Sequence, residues 1–437
     1  MSTATSNQSF SFTDEGFNSL LETLNEPAWV TDQRKAAWAK FNELAWPNNR
    51  EEEWMRTDIR LFKLDKFSMK ADSSTDNLPP TVFNEGVDLA GSVASLDGRG
   101  NGAVELDQKW KDKGVIFGTI ADLLPEHGEL IQKHLFKLVD PNLDRFSALH
   151  AAMWTGGVFL YVPRNVTMDQ PVHVSSLMTD GGSDLRHTLI VVEEGAEATV
   201  LAEASSDESA AAMHCGAIEL FVGDRANLRY VNLQDWGQKV WHFSHQKAKV
   251  GRDANLQWTV GALGSRLSKV NQSVAQAGVG STVQVNGVMF TEDKQHLSYH
   301  TLQHHQKPHC VSDFLYKAAL QDNSRTVWRG MIKVDVDAQK TDGFQRNDNL
   351  LLSTKARADS IPGLEIEADD VRCTHGSTSG KVDEELVFYA QCRGYTRKEA
   401  IRAIVTGFFQ QVFDRITIES VREALALAIA RRVRDYD

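Results

Sequence analysis

No Cys-x-x-Cys pair occurs in this chain, and its four cysteines, Cys215, Cys310, Cys373 and Cys392, are scattered along 437 residues. A zinc ribbon and a disulfide framework are both excluded by that spacing. Long apolar runs are missing too. The longest, Ala424 to Ala430, is far too short to cross a bilayer. The opening MSTATSNQSFSF has neither a basic residue nor an apolar block, so neither a secretory signal nor a transit peptide is expected there. A soluble, cytoplasmic protein is the resulting expectation, with no membrane partner. Lys and Arg are outnumbered by Asp and Glu, 47 to 59, and the formal net charge of −12 argues against a nucleic-acid partner. No Gly-x-x-x-x-Gly-Lys-Ser/Thr loop, no Gly-x-Gly-x-x-Gly turn and no Gly-x-Ser-x-Gly elbow is present. Nucleotide binding through a P-loop and the commonest nucleophile-elbow chemistry therefore drop out, and any ATP-derived energy has to come from a partner.

What remains divides into four stretches. Residues 1–70 read as a helical region, with Phe17, Leu20, Leu21 and Leu24 on one face, then Ala37, Trp38, Phe41 and Leu44 on another. Pro47 ends the second run, because a proline moves its predecessor out of helical dihedrals. Trp54, in Glu52-Glu53-Trp54, reads as a packing anchor. Residues 71–145 form a linker and mixed segment, with a polar loop from Ala71 to the double proline at Pro80.

From Phe146 to Gly380 helical periodicity gives way to short runs of β-branched and aromatic residues between Gly, Asp and Asn turns. Three units repeat: Gly195 with Ala198, Gly223 with Ala226, and Gly251 with Ala254, at a spacing of 28 residues. One such unit cannot bury its own apolar face, so regular copies predict stacking into a solenoid, a parallel β-helix over 146–380. A β-sandwich is the alternative. Residues 381–437 return to helix: Gly394 is placed to end one helix, Thr396 and Glu399 form a capping-box pair, and Ile401, Ile404, Val405, Phe408 and Val412 make a stripe. A last helix is predicted from Thr417, with Arg431, Arg432 and Arg434 compensating its dipole.

The residues able to carry chemistry are few. His375 sits in an open Arg372-Cys373-Thr374-His375-Gly376 turn, and Cys373 two residues earlier shares its strand face, so both are candidate iron ligands. A second candidate is HLSYHTLQHHQKPHC, with His296, His300, His304, His305, His309 and Cys310; the strongest of these are His305, His309 and Cys310. On a strand, residues four apart lie roughly 13 Å from each other, which points to structural roles. Asp335/Asp337 and Asp369-Asp370 suggest a polysaccharide-active β-helix enzyme, but adjacent carboxylates on a strand point to opposite faces.

The run Thr341 to Gly394 carries a more specific signal. Its Arg372-Cys373-Thr374-His375-Gly376-Ser377-Thr378 turn, followed by Phe388-Tyr389 and Arg393-Gly394, resembles the SufB/SufD family of iron–sulfur cluster assembly scaffolds, in whose SufD branch the turn usually reads Lys-Cys-Ser-His-Gly-Ala-Thr. Glu52-Glu53-Trp54 also resembles a family element, and so does the histidine segment, with His304 standing where Asp is common. Within the family the SufD branch fits better. A SufB chain would carry a cysteine near Asn347-Asp348-Asn349 and Glu-His-Glu in place of Thr374-His375-Gly376. The resemblance implies a right-handed parallel β-helix with helical ends, and a non-catalytic subunit that pairs with a SufB-like paralogue and docks the SufC ATPase. It places His375 at the interface with SufB, at a nascent cluster or iron site, with a transient cluster and no permanent cofactor. The implied SufC-docking surface includes Phe388, Tyr389, Arg393, Gly394 and Phe408. Homodimerisation of the isolated chain stays open, and a purely structural adaptor is the remaining alternative.

Overall fold

Strands of eight to ten residues recur from Glu197 to Lys381. In the computed structural model, which describes residues 9–70, 87–100 and 104–434, they stack into a parallel solenoid of about eight turns. Sheet one runs through Val158–Val162, His187–Val192, Met213–Val222, Trp241–Val250, Leu267–Gln276, His296–His305, Arg325–Val334 and Arg357–Ile366. Sheet two runs through Gly91–Leu96, Val172–Met178, Glu197–Ser206, Asn227–Asp235, Asn255–Ala262, Thr282–Thr291, Val311–Leu320, Asp342–Leu351 and Arg372–Lys381. Alternation within each strand sends Val, Leu and aromatic side chains into a narrow core between the sheets, including Leu228, Tyr230, Leu256, Trp258, Val285 and Phe314.

The repeat is less regular than the glycine spacing implies. Glu197 pairs with Asn227, and Asn227 with Asn255, which sets Gly195 beside Arg225 and Asp253 rather than beside Gly223. The feature shared by six successive coils is conformational. Gly195, Arg225, Asp253, Gly280, His309 and Lys340 all take left-handed dihedrals, with φ between 53° and 74°. The residue after each of them turns inward into a slot too narrow for a long side chain: Ala196, Ala226, Ala254, Ser281, Cys310 and Thr341, all buried.

Helices Asp14–Thr23 and Ala28–Glu43, with the segment that follows them, cover the outer face of sheet one over its early coils. Trp54 is the anchor expected of it, buried and stacked on Phe146 at 5.6 Å, while Phe146 stacks on Phe243 at 3.8 Å. The predicted polar loop at 71–80 lies outside the described residues. The described remainder of 71–145, the mixed part of that segment, joins the solenoid: Gly91–Leu96 pairs in parallel with Val172–Met178, and Ile116–Thr119 closes the other sheet antiparallel to Val158–Val162. The boundary at 146 falls inside a helix, Arg145–Met153.

Helices Glu384–Cys392, Arg397–Phe413 and Glu419–Arg432 form the C-terminal region, the latter two against the outer face of sheet two. The capping box at Thr396 and Glu399 is present, and Gly394 stops the first helix at φ 95°. The last helix begins two residues later than predicted, with Ile418 at its N-cap and no side-chain capping bond. At one end the solenoid is closed by the antiparallel strand Ile116–Thr119 and its following helix Ile120–Gln132. At the other it simply stops. Among the described residues Arg357–Ile366 and Arg372–Lys381 each have a single strand neighbour.

Candidate functional site

His375 owes its position to register. Along sheet two, Val200, Tyr230, Trp258, Val285, Phe314, Gln345 and His375 pair in succession. Its first six members are buried. The seventh is exposed because no further coil covers it. The same holds beside it, where Ala198, Leu228, Leu256, Val283, Ser312, Gly343 and Cys373 form the neighbouring inward column. Cys373 is half-buried against Ile332, Val334, Ala338 and Ala368. Burial, reinforced by Asp342, raises its thiol above the ordinary cysteine range, although a backbone hydrogen bond at Gly343 opposes the shift.

The mouth around these two residues is polar where earlier coils are apolar. Gln345, directly beneath His375, is buried; its Nε2 donates to the carbonyls of Gly363 at 3.0 Å and Gly330 at 3.4 Å, while its Oε1 has no partner. Asn347 donates to the Tyr316 carbonyl, and Asn349 bridges Asn347, Ser360 and Ser379. Leu364 and Ile366 stand at the rim, each 39% exposed. Among the described residues the His375 ring has no hydrogen-bond partner, and no three His, Cys, Asp or Glu side chains converge to hold a metal. This chain thus presents an exposed imidazole and a half-buried thiol on one open face. Sequence reasoning passed over Gln345; the signal was an amide at a position where the register demands core.

The second histidine cluster is dispersed, as strand geometry requires. His296–His305 is one strand. His305 is buried, its Nε2 hydrogen-bonded to the Ser312 hydroxyl at 2.8 Å, and burial pulls its pKa down to about 4. His309 is the exposed left-handed turn residue of its coil, and Cys310 fills the narrow inward slot, its thiol 3.3 Å from the Gly278 carbonyl. Those three positions serve the scaffold and share no coordination point. His304 pairs with Asp335 at 2.8 Å, and His300 binds the Glu53 carboxylate at 2.6 Å. That bond, with help from Lys269 and Arg329, holds the Glu53 carboxyl down at about 2. Lys269 is buried beside Glu53 at 3.9 Å, and desolvation lowers its pKa to about 7. The Glu52-Glu53-Trp54 element is therefore clasped to sheet one by charge as well as by Trp54.

The expected docking residues separate into two groups. On Glu384–Cys392, Leu386, Phe388 and Tyr389 are exposed, with Tyr395 just beyond and the Arg393 guanidinium 5.0 Å from the Tyr389 ring. Gly394 serves as the turn. Phe408 belongs to a seam instead: it is half-buried, its carbonyl accepts a bond from Lys317, and its ring lies 4.8 Å from that ammonium.

Residues 176–408 match the family model described as SUF system FeS cluster assembly, SufBD core domain, and residues 17–174 match SufBD protein N-terminal region. The chain belongs to the SufBD family. An iron-sulfur cluster assembly SufBD family protein of Mycobacterium tuberculosis is 33% identical over 295 residues, covering 65% of this chain and 73% of the relative. One from Staphylococcus saprophyticus is 28% identical over 319 residues, 72% of this chain and 68% of the relative. One from Staphylococcus aureus is 26% identical over 411 residues, 90% of this chain and 87% of the relative. Both domains of the family are thus represented, and the SufBD core match spans the coils that end at His375. No helix is long and apolar enough to cross a membrane among the described residues.

Proposed function

We propose that this SufBD protein is the SufD-like half of a two-paralogue scaffold for iron–sulfur cluster assembly. A SufB-like subunit continues the stack at its open end, so that His375 meets a thiolate of the partner across the seam. A nascent cluster or iron ion is held there as cargo, with Cys373 available as a further ligand and the rest of the set supplied by the partner. A SufC-like ABC ATPase docks on the exposed apolar surface of Leu386, Phe388, Tyr389 and Tyr395, next to Arg393. The chain itself is non-catalytic and carries no resident cofactor.

The observation that carries this reading is the column ending in His375. An inward-facing imidazole at the last register position is solvent-exposed in the single chain and becomes interior as soon as another coil is added. Two strands with unpaired edges supply the backbone donors and acceptors for that addition.

The test is His375→Ala. With no internal hydrogen bond to lose, the variant should fold with stability within about 0.5 kcal/mol of the parent and still capture the paralogue. Iron and sulfide recovered anaerobically with the complex should fall to background. Normal cluster content in that complex would remove His375 from the mechanism.

A further inference from the structure

One row on the outer face of sheet two changes character as it nears the open end. It runs Leu233, Gly261, Val288, Lys317, Asp348, Thr378. Leu233 and Val288 belong to the apolar cluster that receives the terminal helices, and the last three members of the row are ionic or polar. The Lys317 ammonium donates to the Phe408 carbonyl of helix Arg397–Phe413 at 2.9 Å and stands 3.7 Å from Asp348 Oδ2. The other Asp348 oxygen accepts the Thr378 hydroxyl at 2.6 Å and Arg346 Nε at 3.0 Å. The two charged side chains are 10% and 4% exposed. Thr378 lies three residues beyond His375 on the terminal strand. Carbonyl, ammonium, carboxylate and hydroxyl thus link the C-terminal helices to the strand that carries His375 and Cys373.

Packing alone does not require charge here. The apolar members of the same row seat the neighbouring helix without it, and burying an ammonium is unfavourable enough that desolvation lowers the Lys317 pKa. What the ionic pair adds is direction. An apolar helix–sheet seam can slide, whereas charge-assisted hydrogen bonds hold donor and acceptor in one geometry and carry a displacement across.

We infer that Lys317 and Asp348 are positioning residues that couple movement of helix Arg397–Phe413 to the strand Arg372–Lys381. The functional purpose of that coupling, moving His375 and Cys373 when an ATPase works on the terminal helices, rests on the partner reading above; the coupling itself does not.

Two arms test it, both on the full chain. The first uses Lys317→Met, which keeps the stem and drops the ammonium, Thr378→Val, the double variant, and Lys317→Arg. Amide hydrogen exchange is followed in peptides covering 372–381 and 397–413. Lys317→Met should speed exchange in both segments by about threefold. Thr378→Val should loosen 372–381 alone but add little once Lys317 is gone, and Lys317→Arg should restore protection. Changes confined to 397–413, or strictly additive effects, overturn the proposal, since coupling is defined by that non-additivity. The second arm measures alkylation of Cys373 in the complex with the paralogue and ATPase, with and without nucleotide. Lys317→Met should still capture both partners and lose most of the nucleotide response; an unchanged response refutes the coupling. Failure of the parent chain to capture either partner would sink the partner reading alone, and the exchange arm would still decide the coupling.

Discussion

At the residue scale the solenoid is controlled by small side chains in places where two coils come close. Gly287 is the clearest. A Cβ there would lie 2.1 Å from the ring of Tyr316, which is fully buried, pairs with Gly287 in register, and donates its hydroxyl to Gln272. Gly287→Ala should therefore destabilise the chain by about 1–3 kcal/mol, read as a lowered urea midpoint. Cys310 obeys the same rule, as one of six small residues in the inward slot after a left-handed turn. Its role could not be read from Pro308-His309-Cys310 alone, because that tripeptide also fits a metal loop. Only the pairing of Ser281, Cys310 and Thr341 positions across coils decides between the two. Cys373 and His375 were legible because their spacing of two fixes a shared face on any strand.

At the scale of elements, the C-terminal arginines illustrate what a one-dimensional reading leaves out. Arg431, Arg432 and Arg434 sit where a helix dipole favours cations, and Arg432 does bond the Ala428 carbonyl at 2.9 Å. The main partners of Arg432 and Arg434 are nonetheless far away in sequence. Arg434 holds Asp293 through both guanidinium nitrogens at 3.0 Å, with Glu292 at 2.9 Å, and Arg432 pairs with Asp235. The last helix is thereby latched to turns of several coils. Arg434→Ala should raise exchange in Glu419–Arg432 with a local loss of about 1 kcal/mol, discounted because the side chain is 45% exposed, and the effect should shrink in high salt. The helices themselves were legible from period and caps. Their packing side was less so: Phe409 and Phe413 are buried while Phe408 stays at the seam, since 3.6-residue periodicity cannot say which of two adjacent aromatics the sheet will receive.

At the scale of the whole molecule, the histidines set a limit on acid stability. His150, His214 and His242 are buried, and desolvation is the first cause holding each well below the ordinary imidazole pKa. The unfolded chain takes up protons near pH 6.5 that the native chain refuses, so stability is full above that value and is lost as pH falls below it. Three such groups give a slope of about 4 kcal/mol per pH unit. Urea midpoints should drop steeply between about pH 6 and 5, and a flat profile there would contradict the neutral buried state of these rings. The open mouth makes a separate demand. Leu364→Lys sets a charge at the rim while leaving the closed coils untouched; capture of the paralogue should weaken at least about tenfold, with thermal unfolding shifted by less than about 3 °C.

A β-helix that is finished at one end and raw at the other has a consequence for its own supply. On the proposed pairing with a paralogue, every copy made without a mate displays sticky backbone and bare rim side chains, so surplus copies should self-associate or be degraded. Cellular abundance should then track the scarcer member of that proposed pair, tying the two products to matched synthesis.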